Sequence, residues 1–189
     1  ALLAFKKSGK FLYSYGEIYS QRDIYLASAS TKVFVNPQGG VDWRGLGMNV
    51  LFSKNAFEKL DIDVQIFRHG KFKSAIEPFM LDKMSEANRL QAETYINALW
   101  GRMVEGISKE RKISAEELNT LANNLSIRLA PDAKGKFVDQ LSYEDEVISE
   151  IKKKIGIKES DKLKFVELAN YKPSAKSEAK KDKIAVIYA

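Results

Sequence analysis

Strand-like and helix-like runs alternate from the amino terminus to about residue 70, and that alternation limits the fold more than any other feature of the chain. Ala1 to Lys7 reads as the last turns of a helix, stopped by Ser8-Gly9. Lys10 to Tyr15 is an aromatic-rich strand that Gly16 ends. Glu17 to Ala29 is a turn and then a helix with Ile24, Leu26 and Ala27 inward. Thr31 to Val35 alternates, is β-branched, and stops at Asn36-Pro37. Met48 to Leu60 places Val50, Leu51, Phe57 and Leu60 on one side of a helix, and Asp63 to Phe67 alternates again as a strand. Strands separated by helices run parallel through right-handed crossovers, so the expectation is an α/β fold: a parallel sheet wrapped by helices.

The stretch Phe67-Arg-His-Gly-Lys-Phe-Lys-Ser-Ala-Ile-Glu-Pro-Phe-Met80 lies where the last of those strands passes into helix, a kind of connection that often carries function. Gly70 breaks the strand, and Phe72, Ala75, Ile76 and Phe79 follow at helical spacing with Lys73 among them. Apolar surroundings strip water from an ammonium and favour the neutral amine, which can then serve as a general base. The structural alternative is a lysine that buries only its stem and keeps its charge in water.

Gly70-Lys71-Phe72-Lys73-Ser74-Ala75-Ile76-Glu77-Pro78-Phe79 resembles the lysine segment of the signal peptide peptidase A (protease IV) family, membrane-associated Ser-Lys proteases. Tyr25-Leu26-Ala27-Ser28, Asn36-Pro37-Gln38-Gly39, Val41-Asp42 to Gly45 and Asp82-Lys83-Met84-Ser85 fall in the order and spacing of the amino-terminal half of the long, two-repeat form. The resemblance is strong from about Leu3 to Leu99 and looser beyond. It implies a crotonase or Clp-protease-like fold of stacked ββα units. It also implies that Lys73 is the general base and that the nucleophilic serine comes from a second repeat outside this chain. Remnant signal peptides are the implied substrates and a ring-like homo-oligomer the implied assembly. The implied place is the periplasmic side of the inner membrane, reached through an amino-terminal anchor that these residues do not include. Ser74, Glu77 and the backbone near Gly70 are the groups expected to position the lysine. In the family's second repeat the serine precedes two glycines whose backbone allows an oxyanion hole. Here Ser20 precedes Gln21-Arg22-Asp23, and Gln21 aligns best with the nucleophile, so Ser20 reads as a capping or surface hydroxyl. The run Gln38 to Gly47, with Gly39, Gly40, Gly45 and Gly47, lacks Walker and GxGxxG spacing; it is a turn-rich loop or, by resemblance, a wall of the substrate groove.

Past Met80 helices dominate. Ser85 opens a long helix through Leu90, Tyr95, Ile96, Leu99, Trp100, Met103 and Ile107, a stripe that suits either core or a subunit contact. Ser114 caps a second helix that continues through Leu121, Leu125 and Leu129. Ala130 to Leu141 is a short helix and turn leading into a buried Phe137-Val138 pair. Tyr143 to Ile155 is a charged helix with Val147, Ile148, Ile151 and Ile155 inward, stopped by Gly156. Leu163 to Leu168 reads as a strand. The expected organisation is an α/β core over 1–84, a helical arm with its closing elements over 85–170, a linker over 171–183, and over 184–189 the first strand of a truncated second repeat.

Composition narrows the chemistry. The absence of Cys excludes thiol nucleophiles and Cys-based zinc sites, and with His69 the single histidine a Ser-His-Asp triad is disfavoured and a multi-histidine metal site excluded. No cofactor is expected. The net charge of +6 sits largely in mixed-charge stretches such as Lys152 to Lys154 and the run beyond Lys172, without interleaved aromatics, so nucleic acid is not an expected partner. No apolar run approaches the ~20 residues of a membrane span. The chain begins at Ala1, in what reads as mid-helix, and is expected to be a piece of a longer polypeptide. Two further readings stand beside the protease. One is a non-catalytic crotonase-like assembly module, in which Lys73 is a groove lysine. The other is an acyl-CoA enzyme of the crotonase class, which the lack of paired glutamates in glycine-flanked loops disfavours.

Overall fold

In the computed structural model, which describes residues 1–171, the chain is a mixed α/β protein built on a small parallel sheet. The elements in order are α1 (Leu2–Lys7), β1 (Tyr13–Tyr19), α2 (Gln21–Ala27), β2 (Lys32–Val41), α3 (Lys54–Lys59), α4 (Glu77–Met80), α5 (Glu86–Arg111), α6 (Ala115–Asn123), α7 (Ala130–Ala133), β3 (Gln140–Leu141) and α8 (Glu144–Ile155). It divides into two compact units, Ala1–Val147 and a second that begins at Ile148.

In the first unit β2 lies between β1 and β3, parallel to both. Val33, Phe34 and Val35 are fully buried, as a central strand covered on both faces requires. β1 pairs with β2 from Tyr13 opposite Lys32 to Gly16 opposite Val35 and resumes at Ile18 opposite Gly40, so β2 carries extra residues between the two stretches. Neither Gly16 nor Asn36-Pro37 therefore ends its strand, contrary to the sequence pattern. The Tyr19 ring lies across Gly16, leaving no room for a β-carbon without a shift. A β-carbon at Gly39 would land on the Glu17 carbonyl oxygen, and one at Gly40 would stand 2.6 Å from the Arg128 carbonyl oxygen. Glycine is what lets these backbones meet.

Above the sheet α5 and α6 close the core around Trp43. Its ring packs against Trp100, centroids 4.7 Å apart, and Phe137, 5.0 Å, and its Nε1 donates to the Leu118 carbonyl oxygen at 2.9 Å. Val104, Ile107, Leu118, Ala122 and Val138 complete this core. The expected caps form: Ser85 accepts from the Asn88 amide and Ser114 from the Glu117 amide. The stripe on α5 divides. Its carboxy-terminal half enters the core, whereas Leu90, Tyr95 and Leu99 stay exposed.

Several expectations fail where no surface is there to pack against. Only Lys54–Lys59 is helical within Met48 to Leu60, and Leu51 and Leu60 point to solvent. Asp63 to Phe67 is not a strand, since no sheet edge among the described residues receives it. Leu26 is exposed, because only the Ile24 and Ala27 face of α2 meets the sheet. α6 stops at Asn123, and Leu125 takes a left-handed φ of 49° that carries the chain to an exposed Leu129.

In the second unit Gly156, at φ 77°, ends α8 as expected. Ser149 Oγ donates to Glu159 Oε1 at 2.5 Å, and Lys152 Nζ donates to the Glu159 carbonyl oxygen at 2.5 Å. Ile155 is exposed, and Leu163 to Leu168 forms no strand; a short 3-10 turn spans Leu168–Asn170. The expected linker beyond Tyr171 and the expected strand over 184–189 lie outside the described residues.

Candidate active site

Gly70 takes φ 102°, a value that favours glycine, and turns the chain into Lys71-Phe72-Lys73. Lys73 then starts a 3-10 turn, Ser74–Ile76, that runs straight into α4, with Pro78 in the first turn of that helix. Phe67, Arg68, His69, Phe72, Lys73 and Ile76 line an open groove of about 550 Å³. Lys73 is exposed, and so are Phe67, Phe72 and Phe79. The apolar residues around the lysine thus do not turn into this chain's core, and its own atoms leave the amine in water. The Phe79 ring stands against that of Phe57, with centroids 6.0 Å apart.

Glu77 is the exception in this segment. Its side chain is 1% exposed. It accepts from Ser85 Oγ at 2.6 Å, from the Ser85 amide at 3.2 Å and from Asn88 Nδ2 at 3.0 Å, while Arg68 Nη1 stands 4.0 Å away. Burial pushes the carboxyl up, but these hydrogen bonds, with Arg68 beside them, outweigh it and hold Glu77 below the usual carboxylate range. Sequence reasoning placed Glu77 near the lysine but not this network. Its only trace in the sequence is an acid set between Ile76 and Pro78-Phe79, eight residues before a helix cap.

At the other end of β1, Ser20 caps α2. Its Oγ accepts from the Asp23 amide at 3.3 Å and donates to Asp23 Oδ2 at 2.7 Å; that donation, with the Ser20 amide donating to the same oxygen at 3.1 Å, holds the Asp23 carboxyl low. Gln21 reaches the following loop. Its Oε1 accepts from the amides of Arg44, 2.9 Å, and Gly45, 2.8 Å, and its Nε2 donates to the Gly45 carbonyl oxygen at 2.9 Å. Two consecutive backbone amides converge on one oxygen, an arrangement suited to an oxyanion, but the oxygen is the protein's own. Nearby, Ile18, Gly39, Gly40, Asp42, Ile127 and Leu129 line an open hollow of about 530 Å³ beside the carboxy-terminal ends of β1 and β2. Parallel sheets commonly receive ligands there. The wall supplied by residues 125–129 has no signature in the sequence.

Residues 4–158, which include the Lys73 loop, α2 and the paired β1 and β2, match peptidase family S49. The chain belongs to peptidase family S49. Curated relatives include Protease 4 of Salmonella typhi, 42% identical over 118 residues, which cover 62% of this chain and 19% of that protein. Protease 4 of Haemophilus influenzae is 34% identical over a stretch of the same length. The chloroplastic serine protease SPPA of Arabidopsis thaliana is 28% identical over 170 residues, 90% of this chain and 25% of that protein. The chain thus spans about a fifth to a quarter of the length of these curated relatives. Among the described residues no helix is long and apolar enough to cross a membrane.

Proposed function

We propose that this chain is the base-donating part of a Ser-Lys serine endopeptidase, with Lys73 as general base and the nucleophilic serine supplied from outside these 189 residues. Neutral Lys73 takes the proton as the serine oxygen bonds to the scissile carbonyl carbon, and returns it to the amine that leaves; water then releases the acyl group by the same route. The substrates are remnant signal peptides, extended apolar segments held by strand addition. The fold is a crotonase-like repeat, the assembly a ring-like homo-oligomer, and the place the periplasmic face of the inner membrane. The observation that carries this reading is Lys73 itself. It stands exposed at a groove rimmed by Phe67 and Phe72, on a loop pinned by a buried carboxylate. A second surface closing over that apolar rim supplies the dry surroundings that the chain alone withholds.

The test is Lys73→Ala in the protease assembled with its serine-bearing segment. Turnover falls by at least about 100-fold, the usual contribution of a general base. The unfolding midpoint stays put, because the side chain is exposed. Intact turnover would leave the alternative, a non-catalytic crotonase-like assembly module, which the self-occupied amides of Arg44 and Gly45 favour. The 189-residue chain alone is expected to be inert; peptide cleavage that Ser20→Ala abolishes would return the nucleophile to this chain.

A further inference from the structure

We propose that Glu77 is the positioning residue of the lysine loop, the group that fixes where the Lys73 amine stands; the proposal rests on the reading of Lys73 as general base. Among the described residues Glu77 is the only fully buried side chain that carries a charge. Taking a carboxylate out of water is costly, and an apolar side chain of similar volume often stabilises as well or better, so an ion kept in such a place calls for a reason beyond stability.

The geometry supplies one. Three of the four groups around the carboxylate belong to the first turn of α5 or its cap: Ser85 Oγ, the Ser85 amide and Asn88 Nδ2. They lie at the positive end of a helix of 26 residues whose carboxy-terminal half is seated in the core. The fourth, Arg68, approaches from before Gly70. One carboxylate therefore faces both ends of the loop, residue 68 on one side and its own position 77 on the other, and Lys73 lies between them. Gly70, at φ 102°, is a weak point in that loop, since glycine resists bending least. Besides this network, the carboxy-terminal side of the loop is held through the backbone by the Ser53 amide donating to the Pro78 carbonyl oxygen at 2.7 Å. That bond anchors α4 to a segment with no buried side chain of its own from Lys54 to Lys59. Glu77 touches no substrate in this scheme; it acts through the lysine.

The experiment measures kcat and KM separately, in the assembled protease, for Glu77→Gln, Ser85→Ala and Lys73→Ala. Gln keeps the length of Glu but removes the charge and sets an NH2 group against the Ser85 and Asn88 donors. A displacement of about 1 Å at a reacting group lowers rate by about 100-fold, so Glu77→Gln is expected to lower kcat ten- to a hundredfold with KM within about twofold. Ser85→Ala, which removes the shortest of these hydrogen bonds together with the Ser85 cap on the Asn88 amide, is expected to lower kcat in the same sense by less, and it decides the matter if Glu77→Gln does not fold. Unchanged kcat in both folded variants, with Lys73→Ala inactive, overturns the role of Glu77 and leaves the lysine reading standing. A loss that appears in KM instead overturns it too, for the network would then shape the substrate groove rather than the base. Activity in Lys73→Ala sinks the underlying reading and this one with it.

Discussion

Asp139→Asn should destabilise the first unit by about 2–3 kcal/mol at neutral pH. Asp139 precedes β3 and is doubly tied to β2: its amide donates to the Val33 carbonyl oxygen at 2.9 Å and its Oδ2 accepts from the Val33 amide at 2.8 Å. Arg111, the last residue of α5, grips the same carboxylate with Nη1 at 3.0 Å and Nη2 at 2.8 Å, and its Nε reaches the Lys136 carbonyl oxygen at 3.3 Å. Asn still offers an oxygen to Val33 but turns an NH2 group toward the guanidinium. Removing one member of a buried ion pair costs about 3–5 kcal/mol. Here the Arg111 side chain is 11% exposed and that of Asp139 35%, so water recovers part of the loss, and about 2–3 kcal/mol remains. In a urea titration followed by tryptophan fluorescence that is a fall in midpoint of about 1–2 M, taking the slope of a small domain. The pH dependence has a definite sign. Burial raises the Asp139 carboxyl, but the Arg111 hydrogen bonds, the Val33 amide and the charges of Arg111 and Lys32 outweigh it, so its folded value lies below the unfolded one. The stabilisation is present above about pH 4 and fades as pH falls through the folded value. The gap between wild type and variant should narrow as pH drops below about 4. A variant within about 0.5 kcal/mol of wild type at pH 7, or a gap unchanged in acid, would refute the account.

Two further substitutions probe how β1 and β2 close up. Gly39→Ala pushes a methyl group into the Glu17 backbone, which cannot rotate away. A loss of about 2 kcal/mol or more, or failure to fold, is expected in thermal unfolding, and a neutral effect would mean the two strands are not in contact as described. Gln21→Ala leaves the Arg44 and Gly45 amides to water. Hydrogen exchange at those two amides, read by NMR, should speed up by about tenfold, equivalent to one modest hydrogen bond, while exchange at Val33 to Val35 stays unchanged.

What could be read from the sequence was chemistry that acts over a few residues. Ser85 and Ser114 announce helices because a hydroxyl there meets an amide three residues on. Gly156 marks a stop because its φ suits no other residue as well, and Thr31 to Val35 reads as strand from its alternation and β-branching. The misreadings share the opposite property. Met48 to Leu60 and Asp63 to Phe67 have regular periodicity, but a pattern becomes an element only if a surface receives its apolar side, and Leu51 and Phe67 find none here. β2 outlasts Asn36-Pro37 because Gly39 and Gly40 approach Glu17 and Arg128, one far away in sequence. The site divides the same way. Lys73 could be picked out only through a family motif, since nothing in its spacing tells a base from a surface lysine. Glu77 needed the fold, because Ser85 and Asn88 become its partners only when α4 is set at the head of α5.

The two tryptophans of the chain are Trp43 and Trp100, and they stand in contact across the junction of β2, α5 and α6. Indoles this close couple their strong far-ultraviolet transitions, so far-ultraviolet circular dichroism should carry a paired, oppositely signed band. That optical signal reports directly on whether the helices remain seated over the sheet. It offers a spectroscopic ruler for the fold that needs neither a substrate nor a label.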